Sequence, residues 1–311
     1  MKGMAICKAY FEAYGRPLIE GPLASYRMAI AAGLVGEGSE CFGFDDEFSR
    51  DHDFGPGFCL WIPETLYREV GSVCQGHYDQ LPKEYMGLER VSTAYSGGRV
   101  GVLPLEGFYQ KFTGLSHPPK DNLEWFRIPE SFLATATNGE VFMDEHGIFS
   151  AWRQHLLGVY PEDVMRKKLA ARCAVMAQAG QYNYMRSMKR GDYMAAHLAC
   201  CEFVKAAYSA LYLVNGRYAP YYKWLYRGAE TLSDLKRVNQ MLLALVTLDA
   251  HADKAVYKAE LIENICTEMI AEFNRKGFTR TSQAFMQYQA EELMQGIKDE
   301  RLRHLHIMVD R

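Results

Sequence analysis

From Pro161 to about residue 299 the apolar residues of this chain recur every three or four positions. Pro161-Glu162-Asp163 opens the first such run, since proline is tolerated in a first helical turn and acids suit that end. Met165, Leu169, Cys173 and Met176 then fall on one helical face. Asp192 opens a second run, in which Ala195, Leu198, Ala199, Phe203, Ala206, Ala210 and Leu213 keep the period. Residues 231–247, 253–276 and 283–299 repeat it. Such stripes must pair to leave water, so this half is expected to be an all-α bundle of antiparallel helices with short loops.

The first half has a different texture. Residues 4–14 read as a helix, and Met28 to Val35 as a helix end or a buried strand, which periodicity does not separate. Phe58-Cys59-Leu60-Trp61-Ile62 reads as a buried strand, and Pro63-Glu64-Thr65 starts a helix after it. Residues 99–105 read as another strand despite Pro104. Strand and helix signals alternate, which predicts a mixed sheet flanked by helices. The fold class is therefore α+β, and 311 residues suit two domains. Asn138-Gly139 marks a turn near the boundary, so the domains are set at 1–145 and 146–311.

Composition narrows the function. A net charge of −3 without a basic stripe argues against a nucleic-acid partner. No apolar run is long enough to span a membrane, and no leader-like apolar segment follows Met1. The 8 cysteines include no C-x-x-C pair, which disfavours structural zinc. Unpaired cysteines in apolar segments suit a reducing compartment, so a cytoplasmic location is expected.

The chemistry concentrates between Gly38 and Pro56. Gly38-Ser39 forms a small turn whose glycine lets a ligand approach and whose serine offers a hydroxyl and an N–H to phosphate. After a gap of 11 residues come Asp51-His52-Asp53. On an extended chain Asp51 and Asp53 project to the same side and repel unless a cation lies between them; magnesium with bound phosphate suits that pair. His52 faces the other way and reads as a packing histidine. The acids lead directly into the buried strand at Phe58, and Gly55-Pro56 can bulge the chain just after them. Arg50 has two readings, a phosphate contact or a partner for Asp45 or Asp46. Asp45, Asp46 and Glu47 read as a solvated acidic run. Gly36 and Gly38 do not complete a dinucleotide fingerprint, because Cys41 stands at the third glycine, and no G-x-x-x-x-G-K-[ST] loop exists. His304 and His306 have no further ligand near them in sequence. Tyr218 to Trp224 gathers four aromatics around Lys223. This segment reads either as a cleft wall whose lysine neutralises phosphate or as core with a solvated lysine.

Gly38-Ser39, followed at this spacing by Asp51-x-Asp53, resembles the signature of the DNA polymerase beta-like nucleotidyltransferase superfamily. The longer string Gly38-Ser39-Glu40, Gly43-Phe44-Asp45-Asp46-Glu47, Ser49-Arg50-Asp51-His52-Asp53 and Gly55-Pro56 resembles the core motif of a bacterial family known as domain of unknown function 4037. Further pieces in the same order are Gly107-Phe108, Leu123-Glu124-Trp125, Ile128-Pro129-Glu130, Gly139 to Phe142, Tyr160 to Val164 and Arg217 to Leu225.

The resemblance implies a nucleotidyltransferase fold followed by a helical domain, a layout similar to kanamycin nucleotidyltransferase. It implies that Ser39 holds a triphosphate oxygen and that Asp51 and Asp53 bind magnesium, with two ions about 4 Å apart. The implied reaction joins a nucleoside monophosphate, taken from a nucleoside triphosphate, to a hydroxyl of a small molecule or protein. The superfamily adds a third carboxylate from a later strand. Here residues 99–105 hold no acid, Gly101 stands where one is expected, and Glu106 at the strand end is the substitute. The missing acid also supports an alternative, a nucleotide-binding or regulatory module with a helical partner-binding domain.

Overall fold

The computed structural model describes residues 1–50, 54–90, 98–248 and 252–310. It divides into two compact units, Met1–Pro118 with Phe132–Gly158, and Pro119–Ser131 with Val159–Arg311. The division expected at 145/146 does not coincide with this one. Residues 146–158 stay with the first unit because Phe149, on the helix Ile148–Leu157, stacks on Trp61 with ring centroids 3.9 Å apart. Residues 119–131 join the second, where Trp125 meets the Tyr160 ring edge-on and Asn122 donates to Asp299 at 3.0 Å.

The first unit is α+β. Its main sheet contains β1 (Ala31–Leu34), β2 (Cys59–Ile62), β5 (Gly101–Pro104) and β6 (Glu140–Asp144) in the order β5-β2-β1-β6. Strand β1 is antiparallel to β2 and β6, and β2 is parallel to β5. A separate two-stranded ladder pairs β3 (Glu84–Tyr85) with β4 (Leu88–Glu89). Strands β1 and β2 are buried along their whole length, so they are apolar runs without alternation. The ambiguous segment before Val35 resolves into a short 3₁₀ helix, Ala24–Ala29, and then β1. Pro104 is tolerated because it ends an edge strand and caps the helix Leu105–Thr113. The segment read as one helix over 4–14 runs as Gly3–Tyr10, a π-type turn Phe11–Gly15 and Arg16–Glu20. Its Phe11 packs edge-on against Phe58.

The second unit is helical among its described residues. Glu162–Val175 continues through a π-type segment, Met176–Tyr184, into Met185–Lys189. Tyr193–Val214 packs against the first two and is capped by Asp192, whose carboxylate accepts from the Ala195 N–H at 3.0 Å. Lys236–Thr247, Ala255–Arg275 and Met286–Gln295 follow. Their core includes Leu169, Cys173, Phe203, Leu242, Ile265 and Leu293. One stripe residue is misplaced by the sequence reading. Leu198 is 58 % exposed, whereas Cys200 beside it is buried. None of the described helices is long and apolar enough to cross a membrane.

Candidate functional site

Strand β1 runs into the turn Val35-Gly36-Glu37-Gly38, and Ser39 then starts a one-turn helix, Ser39–Phe42. The Asn138 side chain clamps the turn, accepting from the Gly36 N–H at 2.9 Å and donating to the Gly36 carbonyl at 2.8 Å. Gly38 has φ of 129°, which favours glycine, and a Cβ there would lie 2.6 Å from the Glu40 carboxylate. The chain is thus bent so that Ser39 follows the four-residue turn at a buried strand end.

Glu40 is buried and faces Arg90 at 3.6 Å. Burial pushes its carboxyl above the usual carboxylate range, and Arg90 opposes that rise. Arg90 also donates to the Gly55 carbonyl at 2.8 Å and the Pro56 carbonyl at 3.3 Å. One buried guanidinium therefore ties the Ser39 helix to the segment that enters β2. The first helix holds both flanks of the acidic motif. The Gly3 N–H donates to Asp45 at 2.9 Å, and Cys7 Sγ donates to the Gly55 carbonyl at 3.3 Å. Burial raises the Cys7 thiol above its usual range.

These contacts correct the reading of the acidic run. Asp45 is buried at the start of the first helix and is not a solvated surface acid. Asp46 accepts from the Phe48 and Ser49 N–H groups, which turns the chain at Glu47–Arg50. Asp51, His52 and Asp53 lie outside the described residues, as does the side chain of Arg50.

The remaining candidates are placed as follows. Glu106 sits in the first turn of Leu105–Thr113, and its carboxylate accepts from the Glu64 N–H at 2.7 Å. It thereby caps the helix Glu64–Asp79. At the expected position of the third acid, Gly101 has φ of 110°, and a Cβ there would meet Gln75 Oε1 at 2.9 Å. Lys223 belongs to the second unit and is exposed, its ammonium 4.8 Å from the Trp224 ring centroid. Tyr218 is buried edge-on against Tyr160, whereas Tyr221 and Tyr222 are exposed.

A pocket of ≈ 230 Å³ opens beside the Gly36–Gly38 turn, between it and the helix after β5. Gly36, Glu37, Arg99, Leu103, Lys111 and Phe112 contribute to its wall. Glu37 pairs with Lys111 at 2.6 Å and stands 3.8 Å from Arg99. An entering phosphate could compete with Glu37 for these cations. Sequence reasoning missed Asn138, Arg90, Arg99 and Lys111. The one available signal was position: Arg99 precedes β5, and Lys111 lies in the helix that follows it. Among the described residues no group of three or more histidines, cysteines and acids is arranged to hold a metal.

No curated protein matches the chain. The solved structure of a nucleotidyltransferase-like protein from Exiguobacterium sibiricum 255-15 is similar at 10 % identity and a TM-score of 0.37, covering 91 % of this chain and 88 % of that one. Among family models, the Domain of unknown function DUF4037 matches residues 125–225. That stretch holds the weaker pieces of the resemblance, from Trp125 to Leu225, and not the string around Asp51.

Proposed function

We propose that the chain is a magnesium-dependent nucleotidyltransferase. The reading rests on one observation: Gly38-Ser39 turns out of the end of β1, and after a gap of 11 residues Asp51-x-Asp53 precedes the segment entering the antiparallel neighbour β2. The sheet supports the reading, because β5, where the superfamily's third acid is expected, runs parallel to β2.

The substrate is a nucleoside triphosphate. An acceptor hydroxyl attacks the α-phosphorus, the bond to the β-phosphate oxygen breaks, and pyrophosphate leaves with that electron pair. Ser39 would hold a phosphate oxygen through its N–H and hydroxyl, and Arg99 and Lys111 are near enough to the turn to neutralise charge. Magnesium held by Asp51 and Asp53 would stabilise the attacking and leaving oxygens. The acceptor proton passes to a carboxylate or to water.

The test is incubation with labelled ATP, GTP, CTP and UTP with magnesium. Pyrophosphate release that disappears in Asp51→Asn and Asp53→Asn is expected. No release, together with no metal-dependent nucleotide binding, would sink the proposal. Gly101 and the engagement of Glu106 with Glu64 favour a second reading, a nucleotide-binding module without turnover. Calorimetry that finds nucleotide bound in both the parent and the two asparagine variants, without turnover in the parent, would support it.

A further inference from the structure

The densest polar cluster among the described residues belongs to neither reading. In the second unit, Lys167 and Lys168 are 0 % and 1 % exposed on the helix Glu162–Val175. Arg172 lies one turn beyond Lys168 on the same face. Glu130 accepts from Arg172 at 2.9 Å and from the Ser209 hydroxyl at 2.8 Å, and Ser209 accepts from Arg172 at 2.6 Å. The Phe126 ring faces both lysines, at 5.7 and 5.1 Å, and Tyr160 faces Lys168 at 5.0 Å.

One short segment fills the middle of the cluster. Lys167 donates to the carbonyls of Ile307, at 3.1 Å, and Val309; Lys168 donates to the Asp310 carbonyl at 2.9 Å; and Arg172 donates to the Asp310 carboxylate. Residues 307–310 are only half-buried. Three cations are therefore withdrawn from water to grip a short segment by its main-chain oxygens and one acid. Apolar residues would fasten the segment at less desolvation cost.

Two further observations point to a ligand. The first is charge. Lys167, Lys168 and Arg172 face Glu130 and Asp310, which leaves one positive charge in excess with the segment seated and two without Asp310. Burial pushes both lysines down to about 8, so they remain cationic near neutrality. The second is the extent of the family match. Phe126, Glu130, Tyr160, the three cations and Ser209 all lie within the matched residues 125–225, whereas the segment lies beyond that match, although within the same compact unit.

We propose that Lys167, Lys168 and Arg172 form a phosphate-binding site that residues 307–310 occupy in cis, with Asp310 and the neighbouring carbonyl oxygens standing where phosphoryl oxygens bind. A phosphoryl group carries roughly 1.5–2 negative charges near neutral pH and several acceptor oxygens. It would complete the charge balance better than one carboxylate, and guanidinium and ammonium donors suit it.

The test uses the full chain with Asp51→Asn and Asp53→Asn, in chelator, so that metal-dependent binding at the nucleotide motif does not contribute, and any metal-free binding there is common to every variant compared. Calorimetry with inorganic pyrophosphate is run at pH 7 on this background alone, with Asp310→Ala, with Asp310→Asn, and with Asp310→Ala plus Lys168→Met. Loss of the aspartate charge is expected to raise affinity at least tenfold, and Lys168→Met to abolish the gain. Circular dichroism and melting report folding, and Asp310→Asn, which keeps the side-chain shape, serves if Asp310→Ala fails to fold. A folded Asp310 variant without tighter pyrophosphate binding would show that the segment is only a structural latch. A gain that survives Lys168→Met would place the anion elsewhere. Either result overturns the proposal.

Discussion

Glu106 has a structural task whatever its chemical one. Its carboxylate accepts from the Glu64 N–H at 2.7 Å, at a helix start where Pro63 offers no side-chain cap. A hydrogen bond to a charged group contributes about 1.5–3 kcal/mol. Glu106→Ala should lower stability by that order in urea denaturation, and Glu106→Gln, which keeps an acceptor oxygen, should lose less than half as much. Equal losses in the two variants would contradict the capping role. Gly101 makes the complementary point. Its φ of 110° strains any residue with a Cβ, and Gln75 Oε1 would have to move aside for a side chain. Gln75 is itself engaged, because its Oε1 accepts from the Val102 N–H at 2.8 Å and satisfies the start of edge strand β5. Gly101→Asp, which restores an acid at the expected strand position, should cost roughly 1–3 kcal/mol in backbone strain. A melting temperature equal to the parent's would show that the strand start adapts freely.

At the scale of elements, Glu162–Val175 is the organising helix of the second unit, buried on nearly all sides. Its polar core depends on Arg172. Removing one partner of a buried ion pair typically costs about 3–5 kcal/mol, because the other charge stays buried and unpaired. Arg172→Met removes the guanidinium and leaves the Glu130 carboxylate accepting from the Ser209 hydroxyl. It should destabilise the chain by that order, and adding Glu130→Gln should recover part of the loss. A double variant no more stable than the single one would mean the two groups are not coupled. The same helix shows how far the sequence was legible. Pro161, Asp192 and the period of three and four announced the helices, because each rule involves neighbours within a turn. The burial of Lys167 and Lys168 was not legible, because nothing local tells that Asn122–Arg127 and residues 307–310 cover them. The site divides in the same way. The Gly38-Ser39 turn is local and was readable. Arg90 and Asn138, which fix that turn, come from about 50 and 100 residues away in the chain. The acids at 51 and 53 were legible only as a pattern, and their spacing still carries the functional proposal.

For the whole molecule, buried titratable groups set opposing slopes of stability against pH. Lys167 and Lys168 are held down to about 8 by burial, against about 10.4 in an unfolded chain. Between those values the unfolded state binds more protons, so their contribution makes stability rise with pH. Buried thiols act with the opposite sign. Burial pushes Cys59 up to about 12, and it also raises Cys7, Cys41, Cys173 and Cys266. Unfolded thiols ionise near 9, so the stability these groups contribute is full below that value and is lost as pH climbs towards 12. Up to about pH 8.5 the slope from the two lysines exceeds that from the thiols, and above it the more numerous thiols prevail. Stability should therefore rise slightly from pH 7 to about 8.5 and then fall. Denaturation under reductant from pH 7 to 10.5 tests this, with Lys167→Met and Lys168→Met flattening the early rise and Cys59→Ala easing the later fall. A steady decline from pH 7 whose shape is unchanged in the lysine variants would mean that both ammoniums keep ordinary affinity for their protons. The core around Arg172 would then be more open to water than its packing implies.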